Sequence, residues 1–250
     1  MSEFRFAYDR QGSPVVPENM FGKQGVFTTF GMRGNKLAAC DLHFNRLLSD
    51  AHRLDLVPID ARILKQILYK CLGRHVRHFP YSKRIRISLT NTVIQFDIGK
   101  YCPRPRRLWS KIEPFSRRPF EIKSLDYQRL LDMQNRDGMY WETILMDEEF
   151  GLTEGRSTNL LFGFEDCIVM PKTGFLPGIG LGEALKALGE KVRQKTLGLE
   201  DLSKCREIVC LNHLQGPMQI IGIPDYNWQS SSSQIYRLLR RSLGRGFSWW

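Results

Sequence analysis

The chain has 250 residues, 42% of them hydrophobic, which is enough to bury the core of one large domain or of two smaller ones. No apolar run approaches the ~20 residues of a membrane span, and the first ten residues carry charges where a signal peptide has its apolar stretch, so we expect no membrane association and a cytoplasmic location. The net charge of +11 favours anionic partners, and the lack of a zinc finger, an RNP-type aromatic motif or a basic arm favours small anionic ligands over nucleic acid.

Residues 1–101 are predicted to form a small N-terminal α/β domain. The stretch GVFTTFGMRGNKLAA predicts a hairpin with RGN as its turn. Two amphipathic helices follow, one in CDLHFNRLLSDAHRLDL capped by Asp41 and one opened by Asp60 and closed by Gly73. A second hairpin, KRIRISLTNTVIQFDI, has Asn91 in its turn.

Residues 102–119 are rich in proline and arginine and are predicted to be an interdomain linker. A larger C-terminal α/β domain is predicted at residues 120–250. It begins with a helix over about 125–136 and closes with the helix SSQIYRLLRRSL. Between them we predict strands in WETILMDEE, STNLLFGFE, CIVMP, REIVCLN and MQIIGI, a glycine-rich turn in LPGIGLG, and a helix in GEALKALGEKVRQKT. The mixed content with mostly antiparallel neighbours predicts an α+β fold.

The six cysteines are scattered without a CxxC pair or matching histidine spacing. This pattern is typical of ordinary buried thiols rather than of a disulfide framework or a zinc site. We therefore expect no metal.

Several short motifs occur in a characteristic order. Arg46 lies on the first predicted helix, and Lys123 stands where a strand-like run ends and a helix-like run begins. Glu154 then opens the pattern E-G-x-x-x-N, followed by FLPGIGLGEAL and REIVCLNHLQG. In this order the chain resembles, from about Gly25 to Ile223, the class IV aminotransferase family, the pyridoxal-phosphate enzymes of fold type IV. The resemblance implies a two-domain fold like that of D-amino acid aminotransferase, pyridoxal 5′-phosphate as the cofactor, and a homodimer.

Lys123 matches the lysine that holds the cofactor aldehyde as a Schiff base in this family. Once released, the same amine serves as the base that moves protons at the substrate carbon. A desolvated site lowers the pKa of a lysine, so its neutral form becomes accessible near pH 7. An exposed lysine without these neighbouring motifs would have no such role.

Two further residues match groups that contact the cofactor ring. Glu154 resembles the carboxylate that keeps the pyridine nitrogen protonated, which lets the ring accept electrons. Tyr127 matches a tyrosine that, in the branched-chain branch, hydrogen-bonds the phenolic oxygen of the cofactor; the lyase branch often lacks it. Packing of an aromatic ring in the first helical turn is the alternative role for Tyr127.

Three segments match the family's phosphate-binding groups. Arg46 would donate charge-assisted hydrogen bonds. Ile179 and Gly180 would offer main-chain amides at a helix start. Asn212 and His213 match the third phosphate-contacting loop. The sequence also departs from the pattern, because many relatives carry threonine and arginine where this chain has Gly180 and Leu181, and asparagine where it has Asp126.

Substrate contacts are predicted for Thr28, Arg84 and Arg86. Thr28 and Thr29 fall where relatives line the substrate pocket, and at most one of them can face it because alternate strand residues point to opposite faces. Arg84 and Arg86 are candidate partners for a substrate carboxylate. Arg104, Arg106 and Arg107 are candidates for the same role.

The resemblance favours a 4-amino-4-deoxychorismate lyase, which releases 4-aminobenzoate and pyruvate. The chain is compact, it lacks the R-x-H pattern of D-amino acid aminotransferases, and a dianionic substrate suits its positive charge. A class IV aminotransferase acting on branched-chain or D-amino acids with a 2-oxo acid acceptor is the alternative. A third interpretation is a basic binding protein that keeps Lys123 without the chemistry.

Overall fold

A computed structural model describes residues 4–34, 36–75, 82–138 and 141–246. The chain divides into two compact units. The first comprises Met1–Cys102 together with Ile122–Gln128, and the second comprises Pro103–Glu121 and Arg129–Trp250. The segment that carries Lys123 therefore belongs to the first unit, although the sequence places it at the start of the second.

The first unit is built on an antiparallel sheet whose six strands run in the order β2-β1-β6-β5-β3-β4. Its two hairpins and two helices confirm the predicted elements, though the second helix continues past Gly73, which was predicted to close it, and Asn35 of the RGN turn lies outside the described residues. The elements are β1 (Phe4–Tyr8), β2 (Pro14–Val15), β3 (Val26–Arg33), β4 (Lys36–Leu37), α1 (Cys40–Arg53), α2 (Ala61–His75), β5 (Lys83–Leu89) and β6 (Ile94–Lys100).

The start of α1 differs from the prediction. Its N-cap residue is Ala39, in the left-handed conformation at φ 44°, and no side chain caps the helix. Asp41 lies instead in the first turn, where its charge complements the helix dipole. The predicted Asp41 cap is therefore wrong.

Strand β3 turns one side toward α1. Phe30 on this side is fully buried, and its ring centroid lies 6.4 Å from that of Phe44 of α1. The β3–β5 register pairs Thr29 with Arg86 and Gly31 with Arg84, so these residues share the opposite side of the sheet. Period-2 alternation thus separates a helix-covered core from a second face that carries arginines.

The segment Ile122–Gln128 runs antiparallel to the start of β3. The Phe27 amide donates to the Lys123 carbonyl at 3.0 Å, and the Leu125 amide donates to the Gly25 carbonyl at 2.8 Å. A Cβ on Gly25 would collide with the Leu89 carbonyl oxygen, so the close approach requires glycine there. This pairing joins residues that are far apart in sequence, which local patterns do not reveal.

The second unit contains a mixed sheet in the order β12-β11-β10-β13-β14-β7-β8-β9, with β15 paired to β14. Strand β7 lies inside the segment predicted to be a linker, where it runs parallel to both β14 and β8. The strands are β7 (Arg107–Pro114), β8 (Trp141–Asp147), β9 (Gly151–Gly155), β10 (Asn159–Gly163), β11 (Ile168–Pro171), β12 (Val192–Lys195), β13 (Glu207–Asn212), β14 (Gly216–Ile223) and β15 (Trp228–Gln229).

Three helices complete the second part of the chain: α3 (Gln128–Asp137), α4 (Ile179–Leu188) and α5 (Gln234–Gly246). The helix after the glycine-rich turn is shorter than predicted, because α4 ends at Leu188 and its C-cap is Gly189, whose φ is 61°. A short 3-10 helix at Gly189–Lys191 follows, and then β12, which pairs in parallel with β11. Among the described residues, no helix combines the length and apolarity needed to cross a membrane.

The six cysteines lie in the described part of the chain and form no disulfide there. Cys71, Cys205 and Cys210 are buried, whereas Cys102 is exposed. The expectation that the cysteines are buried is therefore confirmed for these three residues and is wrong for Cys102.

Candidate active site

Lys123 is held by its main chain on both sides. Its carbonyl accepts the Phe27 amide, and its own amide donates to the Asp50 carboxylate at 3.1 Å. The Lys123 Nζ lies 4.8 Å from the centroid of the Phe27 ring. The amine thus extends from a fixed backbone along an aromatic face, which is the directed arrangement that a nucleophilic lysine needs.

Arg46 lies on α1 with its guanidinium largely buried. Its Nη2 donates to Thr28 Oγ1 at 2.9 Å, and that hydroxyl lies 2.7 Å from His43 Nδ1. Its Nε has no hydrogen-bond partner among the described residues. Burial lowers the pKa of Arg46. A buried cation with a spare donor is suited to binding an anion such as a phosphate group.

Thr28 supports Arg46. Its side chain is 0% exposed and shares the α1-facing side of β3 with Phe30. Thr29, in contrast, is half-buried and stands opposite Arg86 across the sheet. Of the two threonines, the structure therefore places Thr29, rather than the predicted Thr28, on the face that carries the candidate substrate arginines.

Arg86 is enclosed by aromatic rings. Its guanidinium carbon lies 4.1, 4.7 and 5.0 Å from the ring centroids of Phe27, Phe21 and Tyr127, and its Nη1 donates to the Tyr127 hydroxyl. Only 8% of the residue is exposed, and its Nη2 has no hydrogen-bond partner among the described residues. Burial lowers the pKa of Arg86 and raises that of Tyr127. Arg84 lies half-buried two residues earlier.

In the second unit, Glu154 is the penultimate residue of β9, and 3% of it is exposed. Its Oε1 lies 3.0 Å from Arg117 Nε, and its Oε2 accepts the Leu176 amide at 3.1 Å. Asn159 donates to the Leu176 carbonyl at 2.6 Å. Glu154 and Asn159, the first and last residues of E-G-x-x-x-N, therefore both form hydrogen bonds with Leu176 in the loop before α4. The motif fixes this loop as well as supplying a carboxylate.

The start of α4 is rich in glycine and has no side-chain cap. Its N-cap, Gly178, makes no side-chain capping bond. A Cβ on Gly178 would collide with Asn159 Oδ1, and one on Gly180 would lie 2.9 Å from the His213 main-chain nitrogen. The loop after β13 thus approaches the helix start closely. A side chain at position 180 would therefore crowd the main chain of this loop.

Asn212 is the last residue of β13, and His213 begins the loop that follows. Asn212 donates to the Ser157 carbonyl at 2.6 Å, and its Oδ1 accepts the Leu214 amide at 2.9 Å. Because the Asn212 side chain is engaged in this turn, the phosphate contact predicted for this loop would come from main-chain amides. Ile179 is half-buried and Gly180 is buried in the first turn of α4.

Two residues of these clusters are not indicated by any sequence motif. Arg117 lies in the proline- and arginine-rich segment, where nothing marks it as the ion-pair partner of Glu154. Asp50 follows Arg46 by one helical turn, and this spacing was its only signal.

The comparisons identify the family. The model of the family described as amino-transferase class IV matches residues 25–223, so the chain belongs to the class IV aminotransferases. No curated protein sequence matches significantly.

Solved structures share the fold. A branched-chain aminotransferase from Thermoproteus uzoniensis with norvaline is 16% identical with a TM-score of 0.79, over 98% of this chain and 96% of its own. A Legionella pneumophila protein provisionally described as 4-amino-4-deoxychorismate lyase is 17% identical with a TM-score of 0.78, over 93% and 97%. A hypothetical aminotransferase from Mycobacterium tuberculosis in its pyridoxal-phosphate-bound form is 13% identical with a TM-score of 0.76, over 98% and 100%.

The family's cofactor is pyridoxal 5′-phosphate, and the residues present fit it. When bound, it supplies an electron-accepting ring that stabilises negative charge at a substrate carbon. The first unit carries an amine, Lys123, and a buried guanidinium with a spare donor, Arg46. The second unit carries a buried carboxylate, Glu154, and an uncapped helix start at Gly178. These are the four kinds of group that the aldehyde, phosphate and pyridine nitrogen of the cofactor require.

We expect Arg46→Ala to weaken pyridoxal phosphate binding by about 10–100-fold, because a hydrogen bond to a charged group contributes about 1.5–3 kcal/mol. Equilibrium titration followed by absorbance measures the dissociation constant. Arg62→Ala is the matched control, since Arg62 lies on α2 with 87% of its side chain exposed. Equal effects of the two substitutions would contradict a phosphate role for Arg46.

Proposed function

We propose that the protein is a pyridoxal-phosphate-dependent lyase that converts 4-amino-4-deoxychorismate to 4-aminobenzoate and pyruvate, a step of folate biosynthesis. Lys123 holds the cofactor and then removes the ring proton of the substrate. The bond to the pyruvate group breaks, and aromatisation of the ring provides the driving force. The atoms of the substrate equal those of the two products, so the reaction needs no acceptor keto acid.

The observation that carries the proposal is the environment of Arg86. A guanidinium that is 8% exposed and has an Nη2 without a partner among the described residues is suited to a substrate carboxylate. The surrounding rings of Phe21, Phe27 and Tyr127 hold the guanidinium plane and suit a flat, cyclic substrate. A dianionic ring compound matches both features.

Tyr127 is part of the cage around Arg86. Its hydroxyl accepts a hydrogen bond from Arg86. The hydroxyl keeps its own proton to donate, so this contact fits a substrate-side role and does not by itself separate the two reactions.

A class IV aminotransferase is the second candidate, because Tyr127 is present and half-buried at the position where that branch has its tyrosine. In this reaction Lys123 would carry the proton from the substrate carbon to the cofactor, and a 2-oxo acid would collect the amino group. Branched-chain and D-amino acids are the substrates to test.

One pair of assays separates the two reactions. Purified protein with 4-amino-4-deoxychorismate and no keto acid is expected to release 4-aminobenzoate and pyruvate in equal amounts, measured by chromatography and a coupled dehydrogenase. Branched-chain or D-amino acids with 2-oxoglutarate are expected to give no glutamate above background. Turnover in the second assay alone would remove the lyase assignment in favour of the aminotransferase.

The proposed functional form is a cytoplasmic homodimer that takes a small anionic substrate and needs neither nucleic acid nor a membrane. Light scattering of the purified protein tests the dimer. A salt-sensitive gel shift of a nucleic-acid probe would instead favour nucleic acid as the anionic partner.

A further inference from the structure

Helix α1 carries two opposite charges one turn apart, Arg46 and Asp50. Asp50 is 3% exposed, and its carboxylate is the acceptor for the Lys123 amide at 3.1 Å. The charged groups that act on Asp50 are Arg46 and Arg53 of its own helix and Lys123 of the neighbouring segment. The carboxylate therefore lies among three cations while contacting the main chain of the lysine.

This contact completes the support of the Lys123 backbone. The carbonyl of Lys123 is held by β3 through the Phe27 amide, and the amide is held by α1 through Asp50. Because both peptide groups beside the Lys123 Cα are fixed, the side chain starts from a defined position. A shift of about 1 Å in a reacting group can lower a rate by about 100-fold, so such support affects the chemistry.

Folding alone does not account for a carboxylate at this position. Burial raises the pKa of Asp50, and the Lys123 amide and the nearby cations oppose the rise without cancelling it. A folded-state pKa above the unfolded value contributes stability only at low pH, and this contribution is lost as the pH rises through the folded pKa. The ionised form is thus unfavourable for folding at neutral pH, where an asparagine oxygen could accept the same amide. Groups whose pKa values are perturbed in this way cluster at functional sites.

We propose that Asp50 is a positioning residue for Lys123, which fixes the lysine backbone through its amide and acts on its amine through its charge. The proposal rests on the proposed function only in taking Lys123 as the reactive amine. Arg46, one turn earlier, would hold the phosphate, so α1 would align the amine and the anion site from a single rigid element.

The test uses the full-length chain freed of cofactor. Acetic anhydride labelling across a pH series, read by mass spectrometry, gives the titration midpoint of Lys123, and hydrogen exchange reports the protection of its amide. Asp50→Asn is expected to keep the amide protected and to lower the labelling midpoint by about half a pH unit or more, because a negative charge is removed. Asp50→Ala is expected to accelerate exchange in the Lys123 peptide by about 10-fold or more.

Asp41→Asn is the control, since it removes the same charge from an exposed position of α1. It is expected to leave both measurements unchanged. An unchanged midpoint in Asp50→Asn, or a loss of stability without an effect at Lys123, would overturn the proposal. Should Asp50→Ala not fold, the midpoint in Asp50→Asn decides alone. If Lys123 responds as expected but no substrate is turned over, the proposed function fails and the role of Asp50 stands.

Discussion

Replacing Lys123 by alanine is expected to abolish covalent attachment of pyridoxal phosphate and to lower turnover by more than about 1,000-fold. The substitution removes a nucleophile and a general acid–base group together, and acid–base catalysis alone contributes about 10²–10⁴-fold. Attachment is measured by borohydride reduction followed by peptide mass spectrometry, and turnover by release of 4-aminobenzoate. The wild-type protein is expected to show a reduced adduct on the peptide that contains Lys123.

The fold is expected to survive this change. The contacts that fix position 123 are made by its main-chain amide and carbonyl, which alanine keeps. Circular dichroism and thermal unfolding therefore serve as controls. Lys186→Ala is the matched variant, because this lysine is exposed on α4 and its ion pair among the described residues is with Glu183 of its own helix turn. An adduct that persists in Lys123→Ala, or a protein that never takes up the cofactor, would support a non-catalytic binding protein instead.

Local sequence patterns predicted the local elements well. The hairpins around β3 and β5 and the helices α1 and α2 follow from alternation and helical spacing over consecutive residues. Strand β7 was missed because its identity depends on two parallel neighbours, β14 and β8, and its surroundings in sequence are rich in proline and arginine. The helix after Gly178 is also shorter than its sequence pattern predicts, since charged residues continue past Gly189 into β12.

In the candidate site, too, some residues follow from sequence motifs and others are visible only in the structure. Lys123, Glu154 and the loops at Gly180 and His213 were selected by motif order, and the structure adds their environments. Asp50 contacts Lys123 across 73 positions of the chain, a distance at which no periodicity operates. The two threonines of β3 could not be separated by alternation alone, because alternation does not say which side the helices cover. Residues that act through a neighbour, such as Asp50 and Arg117, therefore became visible only in three dimensions.

Glu154→Gln is expected to lower turnover by about 100-fold or more while the protein still binds the cofactor. The amide side chain can still accept the Leu176 main-chain hydrogen bond, so the loop before α4 stays in place. What disappears is the negative charge, and loss of one preorganised group that stabilises developing charge lowers kcat by about 10²–10³-fold. Steady-state kinetics measure kcat, and titration by absorbance measures cofactor affinity.

Glu154→Gln removes both the ion pair with Arg117 and the negative charge of Glu154, and these two effects must be measured separately. Glu154→Gln leaves the Arg117 guanidinium without its carboxylate partner, which is expected to lower the free energy of unfolding by about 1–3 kcal/mol in urea. Arg117→Gln breaks the same pair but keeps the carboxylate, so a similar loss of stability should accompany less than about a 10-fold loss of turnover. Glu148→Gln, at an exposed position before β9, controls for charge removal in general. If Glu154→Gln and Arg117→Gln reduce turnover equally, the ion pair rather than the carboxylate charge is what the site needs, because the Glu154 carboxylate remains in only one of the two variants.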